Sequence, residues 1–205
     1  MQKCVIIGGA KITRLDRIKQ YINNDDFVIA CDSGINNSKL LGVLPNLIVG
    51  DFDSSDKPLT KIETITLPRE KDDTDSIYAI KEAIKRGFKQ IVLLGTVGER
   101  LDHSLANVYA LKLMADEGVE GAIIDDYSVM SLVDDSATVD STFSYFSIIA
   151  IDGNLEDVCI KNAKFPLENG MITPSYQYAV SNEVLPGKTA EVKIGKGCAL
   201  LIKVF

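Results

Sequence analysis

The chain reads as two joined fold types, an α/β domain with a mostly parallel sheet followed by a small all-β domain, sandwich or barrel-like. Three observations predict this. Over the first half, short apolar runs alternate with segments of helical period, the pattern of βαβ units. Several of those runs end at a glycine or an aspartate. After Ile124 helical spacing disappears, and short β-rich runs separated by turn signals take over. The change of texture sets the domains as residues 1–133 and 134–205.

Cys4–Ile7 is a continuous apolar run ending at Gly8-Gly9, and from Thr13 to Ile22 the residues Leu15, Ile18 and Ile22 recur at helical spacing. Strand, tight turn and helix follow. A Gly-Gly turn lets backbone N–H groups approach a phosphate, although the fuller GxGxxG pattern is absent. Phe27–Cys31 is a second strand, running into Asp32-Ser33-Gly34. A short helix over Asn36–Leu41 is closed by Gly42.

The next strand, within LIVGDFDS at Leu47–Ser54, delivers Asp51 and Asp53 at its carboxyl end. Residues two apart on an extended chain face the same way, so the two carboxylates share one target while Phe52 turns inward. A hard cation such as magnesium, held by one or two carboxylates with phosphates and waters, suits the pair. An acidic surface turn is the alternative. A second acidic cluster, Lys71–Ser76, precedes Ile77, Ile80 and Ile84 on one helix face. Thr or Asp there caps the helix. Capping explains one or two of Asp72, Asp73 and Asp75, and the remaining repulsion calls for a cation or solvent. Gln90–Leu94 is another strand, running into Gly95–His103, with Arg100, Asp102 and the only histidine of the chain ahead of a helix over Ser104–Met114. A planar guanidinium there is suited to clamping phosphate.

The β half is predicted from runs at Tyr127–Leu132, Phe143–Ile151, Val158–Ile160, Tyr176–Val180, Ala190–Ile194 and Cys198–Val204, with turns at Asp152-Gly153 and Asn169-Gly170. Pro186-Gly187-Lys188-Thr189 imitates the end of a P-loop, but Asn182 stands where the pattern needs glycine and no helix follows, so it is a turn.

Composition narrows the function classes. A net charge of −7 disfavours a nucleic-acid backbone, yet acidic groups gathered on metal ions can receive a polyphosphate. The apolar run near the start is too short for a membrane span and shows no signal-peptide pattern, which places the chain in the cytoplasm, away from membranes. Cys4, Cys31, Cys159 and Cys198 stand singly, suggesting neither zinc nor disulfides.

Taken together, DSGINN, LIVGDFDS, KDDTDS, GTVGERLDHSLAN and the late Ser181-Asn182-Glu183 resemble the thiamine pyrophosphokinase family in order and spacing. The resemblance implies a three-layer α/β nucleotide domain joined to a β-sandwich, and a homodimer that moves pyrophosphate from ATP to thiamine, releasing AMP. It implies Asp51, Asp53 and Asp75 as magnesium ligands, with Asp32 and Asp72 close by. It places Arg100, Asp102, His103 and Asn107 on the nucleotide side, with Arg100 and Asp102 among the catalytic groups. It also implies that Ser181 and Asn182 meet thiamine's aminopyrimidine ring. Two departures accompany it: DSG replaces the more usual DGG at Ser33, and the chain has no tryptophan, leaving Phe165 to stack on thiamine. A haloacid-dehalogenase-type phosphohydrolase, whose DxD carries a nucleophile, and a nucleotide-sensing module without turnover are the rival readings.

Overall fold

The computed structural model describes residues 2–51, 61–68, 70 and 72–205. Its backbone divides into two compact units, Met1–Asp126 and Tyr127–Phe205. The first alternates strand and helix in the order β1 (Cys4–Ile7), α1 (Leu15–Lys19), β2 (Phe27–Cys31), α2 (Gly34–Leu41), β3 (Leu47–Gly50), β4 (Glu63–Thr66), α3 (Asp75–Lys85), β5 (Gln90–Leu94), α4 (Leu101–Asp116) and β6 (Glu120–Ile124). In this unit the strands lie in the order β4-β3-β2-β1-β5-β6, and every recorded pairing is parallel. Strands buried on both faces need apolar side chains throughout, hence runs such as CVII and LIVG that do not alternate.

The chain steps outward from β1 through β2 and β3 to β4, then returns to lay β5 on the other side of β1. The carboxyl ends of β1 and β5 therefore flank the point where strand order reverses, and open α/β sheets bind ligands at such a point.

Helix boundaries follow local chemistry. Thr74 caps α3, its hydroxyl accepting from the Ile77 N–H at 3.3 Å, and Gly42 closes α2 with φ of 70°. Helix α4 begins at Leu101, three residues earlier than the sequence suggests, because nothing in RLDH breaks a helix and the Ser104 hydroxyl bonds back to the Arg100 carbonyl at 2.9 Å. Asp102 and His103 thus sit in its first turn, where a carboxylate suits the helix dipole. Helix α1 is shorter than its periodicity, with Asp126 accepting from the Thr13 and Arg14 backbone N–H groups at 2.8 and 3.0 Å just ahead of it. No described helix is long and apolar enough to cross a membrane.

The second unit contains β7 (Ser128–Val133), β8 (Ser136–Val139), β9 (Tyr145–Ala150), β10 (Leu155–Lys161), β11 (Leu167–Ile172), β12 (Ala190–Lys193) and β13 (Ala199–Val204). They form two antiparallel groups, β7-β13-β9 and β11-β10-β12-β8. One apolar core holds residues of both, among them Phe146, Ile148, Leu201, Val158, Ile160 and Val192, which makes the unit a β-sandwich. Strand β7, which the sequence reading put ahead of the domain boundary, pairs along its length with β13 and so belongs here.

Two details depart from expectation. Asn169-Gly170 lies inside β11 and not in a turn. The pairing shifts register around it, and Asn169 takes φ of 48°, so the dipeptide makes a β-bulge. Tyr176–Val180 is not a regular strand, yet it lies along the free edge of β9. Ile148 N–H donates to the Ala179 carbonyl at 2.8 Å, and the Gln177 amide bonds both Ala150 N–H and Ala150 C=O at 3.0 and 2.9 Å. Side-chain groups stand in for part of the ladder. Pro186-Gly187 forms the predicted turn, with Lys188 N–H donating to Leu185 C=O at 3.0 Å and Gly187 at φ of 70°.

Candidate active site

A cleft of about 480 Å³ opens at the carboxyl ends of β1, β2 and β5, within the range of small-molecule sites. Three loops build it. The first, Gly8–Lys11, is held at both carbonyls by the buried Asn37 of α2, whose amide donates to Gly8 and Ala10 at 2.7 Å each. The second, Asp32-Ser33, passes directly over the first. A Cβ on Gly9 would lie 2.0 Å from the Ser33 hydroxyl oxygen, and one on Gly34 would lie 2.0 Å from the Ile7 carbonyl oxygen. The third, Gly95–Arg100, is stitched by Ser104, whose hydroxyl accepts from Gly98 N–H at 3.0 Å.

Asp32, Asp75, Arg100, His103 and Asn107 line this cleft. Asp32 occupies a left-handed backbone, φ 45°, in which the close approach of Gly50 is needed: a Cβ there would lie 3.2 Å from the Asp32 Cα. Non-glycine residues in that conformation gather at functional sites. Ser33 is right-handed, φ −62°, so the serine replacing the usual glycine meets no backbone penalty. Asp51 follows β3 next to the end of β2, and Asp53 lies outside the described residues. Asp72 is exposed and outside the lining. Asp73 pairs with Lys81 at 2.7 Å, so the acidic cluster divides into a structural member and a cleft-facing one, Asp75.

Asn107 is buried, and its amide donates to the Thr96 carbonyl at 2.8 Å and accepts from the Ser76 hydroxyl at 2.7 Å. It ties α4, α3 and the β5 loop together. Arg100 and Asp102 form an ion pair at 2.5 Å, and the guanidinium's hydrogen bond pulls the Asp102 carboxyl down to about 2. Both groups are about two-thirds exposed, 68% and 65%, so the pair is weak and readily exchanged for another anion. Thr96, 7% exposed, has the one buried side-chain oxygen without a hydrogen-bond partner among the described residues.

In the second unit Asn182 is buried and both ends of its amide are engaged. It accepts from Phe165 and Glu183 N–H at 3.0 and 2.9 Å and donates to the Phe165 carbonyl at 2.7 Å. Its work is to hold Phe165, which is 59% exposed. Ser181 takes φ of 57° and is tied to the Ser147 hydroxyl at 3.0 Å. Sequence reasoning passed over Asn37, Ser76, Thr96 and Ser104. The signal was there for Asn37: an amide on a helix face that otherwise packs inward.

Asp32 and Asp75 line the cleft and Asp51 stands at the neighbouring strand end, carboxylates of the kind a hard cation takes, but among the described residues no three His, Cys, Asp or Glu side chains come together as a metal site. The cleft's lone sulfur side chain, Cys31, has its thiol directed at the Asp75 carbonyl at 3.7 Å.

Residues 18–122 match the sequence model of the family described as "Thiamin pyrophosphokinase, catalytic domain". The whole chain is similar to the thiamine pyrophosphokinase of Bacillus subtilis, 24% identical over 99% of each chain. It is also similar to thiamin pyrophosphokinase 1 of Caenorhabditis elegans, 23% identical over 98% of this chain and 88% of that one. Its fold matches the crystal structure of the Bacillus subtilis thiamine pyrophosphokinase with a TM-score of 0.87, at 22% identity and 99% coverage of each chain. The thiamin pyrophosphokinase of Geobacillus thermodenitrificans gives a TM-score of 0.84 at 25% identity, over 100% of this chain and 98% of that one.

Proposed function

Because the chain belongs to the thiamin pyrophosphokinase family, matched over more than half its length, we propose that it transfers the pyrophosphoryl group of ATP to the hydroxyl of thiamine, giving thiamine diphosphate and AMP. The observation that carries this reading is the cleft at the β1/β5 switch point, where a glycine-lined turn, three carboxylates (Asp32, Asp75 and Glu99), a lysine, an arginine and a histidine converge.

In the reaction the thiamine hydroxyl oxygen forms a bond to the β-phosphorus as the bond from that phosphorus to the α,β-bridging oxygen breaks, and AMP leaves with the electron pair. Such transfers depend on positioning and on stabilising spread charge. Asp51 and Asp75, together with Asp32 and, on the sequence pattern alone, Asp53, are the residues that would hold Mg2+, which when bound would neutralise polyphosphate charge. The glycine turn lets the phosphates come close to backbone N–H groups. Arg100 releases Asp102 and grips phosphate oxygens through its fork, and the freed Asp102 stays ionised. An aspartate outside the cation's coordination accepts the hydroxyl proton. Phe165, held by Asn182, presents an aromatic face suited to thiamine's rings. The homodimer and the cytoplasmic location that the resemblance implies belong to the same proposal.

Incubation with ATP, Mg2+ and thiamine tests it. AMP formed only when thiamine is present supports the reading; inorganic phosphate released without thiamine, or binding without products, contradicts it.

A further inference from the structure

Lys11 lines the cleft beside the glycine turn, yet neither composition nor motif singles it out. Its backbone is fixed from both sides. Upstream, Ala10 N–H donates to the Gly95 carbonyl at 2.8 Å and the Ala10 carbonyl accepts from Asn37 at 2.7 Å. Downstream, Ile12 is buried, and Asp126 accepts from Thr13 N–H, the Thr13 hydroxyl and Arg14 N–H at 2.8, 2.5 and 3.0 Å. The loop also packs closely against the third wall of the cleft, since a Cβ on Gly98 would lie 2.9 Å from the Ala10 Cβ. The lysine stem therefore leaves a rigid base.

Its ammonium has no carboxylate partner among the described residues. The other cation of the lining, Arg100, is already paired with Asp102. An exposed ammonium on a loop of fixed backbone after β1, in the same cleft as the arginine after β5 and without a carboxylate partner among the described residues, is a second point charge for an anion there.

We propose that Lys11 binds the polyphosphate tail of ATP and positions it from the β1 side, complementing Arg100. The assignment rests on ATP being the co-substrate. Tail phosphates carry most of the nucleotide's charge, and a lysine at the cleft wall with no ion pair among the described residues is free to meet them.

The test is calorimetric titration of the intact protein with ATP and with AMP, in the presence of Mg2+, alongside steady-state rates. Lys11→Ala is expected to weaken ATP binding by about tenfold or more, to leave AMP binding, the KM for thiamine and the melting temperature unchanged, and to be largely rescued by Lys11→Arg. Unchanged ATP affinity would make Lys11 a solvated surface charge. Equal losses for ATP and AMP would place it on the part the two share, and either result overturns the assignment. A parent protein that binds ATP, loses that binding in Lys11→Ala and yields no AMP with thiamine would sink the transferase reading alone. An active parent whose Lys11→Ala variant binds ATP normally would sink the lysine assignment alone. A parent that does not bind ATP overturns both.

Discussion

Asp32 holds its carboxylate on a backbone at φ 45°, a conformation glycine adopts freely and other residues reach at a cost of roughly 1–2 kcal/mol. Asp32→Gly should therefore melt within about 1 kcal/mol of the parent, since relief of strain offsets the extra freedom of the unfolded chain. Its turnover should fall. A large loss of melting temperature would show the Asp32 side chain to be a structural brace. Asp75→Asn is expected to lower turnover on the order of a hundredfold or more without lowering the melting temperature in Mg2+-free buffer, because removing one of several neighbouring like charges relieves repulsion. Asp102 makes a sharper electrostatic prediction. Its carboxyl is lowered from 3.8 to about 2 by Arg100, so the ion pair is complete above about pH 4 and is lost as pH falls through about 2. An NMR titration of that carboxyl should show the low midpoint, and Arg100→Gln should return it toward 3.8; an unmoved midpoint would mean the pair does not form in solution. At this scale the sequence made most charged candidates visible, because aspartates at strand ends are conspicuous. It could not reveal that the amides of Asn107 and Asn182 are spent on neighbouring backbone and side-chain groups, since a hydrogen-bond partner far along the chain leaves no local signal.

Between elements, the cleft depends on two glycines whose neighbours differ in what can yield. Gly34→Ala would drive a Cβ to 2.0 Å from the Ile7 carbonyl oxygen, which is backbone at the end of β1. A loss of at least about 2 kcal/mol is expected, about 2–4 °C of melting temperature per kcal/mol in a chain of this length. At Gly9→Ala the close contacts are with the Ser33 side chain, the nearest backbone atom lying at an ordinary 3.7 Å, so Ser33→Gly should rescue Gly9→Ala and should not rescue Gly34→Ala. Equal rescue of both would contradict the packing described. Elements with long apolar runs, such as β1, β3 and β5, were legible because a parallel strand buried on both faces leaves an unbroken signature. Strand β4, Glu63–Thr66, shows no fully buried residue and gives no such run. The bulge in β11 looks like a turn for a physical reason: Asn-Gly supplies the positive φ that either structure requires. The segment Tyr176–Val180 has strand-like composition but satisfies the β9 edge partly through Gln177 and Ser147 side chains, a distinction that period-two patterning cannot express.

For the molecule as a whole, the switch from βαβ texture to turn-separated strands was readable, and the structure divides it between Asp126 and Tyr127. The place of β7 was not, because its membership is decided by pairing with β13 at the far end of the chain. Cysteine reactivity reports the integrity of the first unit. Cys4 is completely buried, its thiol pushed up to about 12 by desolvation, so a thiol reagent at about pH 8 should leave it unmodified until the unit unfolds. Fast labelling of Cys4 in the native protein would contradict the packing of β1. If the homodimer of the proposal is right, light scattering should give twice the 22.4 kDa chain mass.

The central claim is that a pyrophosphoryl group moves intact from ATP to thiamine in this cleft, and the fate of γ-labelled phosphate tests it most directly. With ATP labelled at the γ-phosphorus, Mg2+ and thiamine, label is expected in the terminal phosphate of thiamine diphosphate, with unlabelled AMP in equal amount and both products formed far more slowly by Asp75→Asn. Label recovered as inorganic phosphate regardless of thiamine, or in thiamine monophosphate with ADP as co-product, would contradict it.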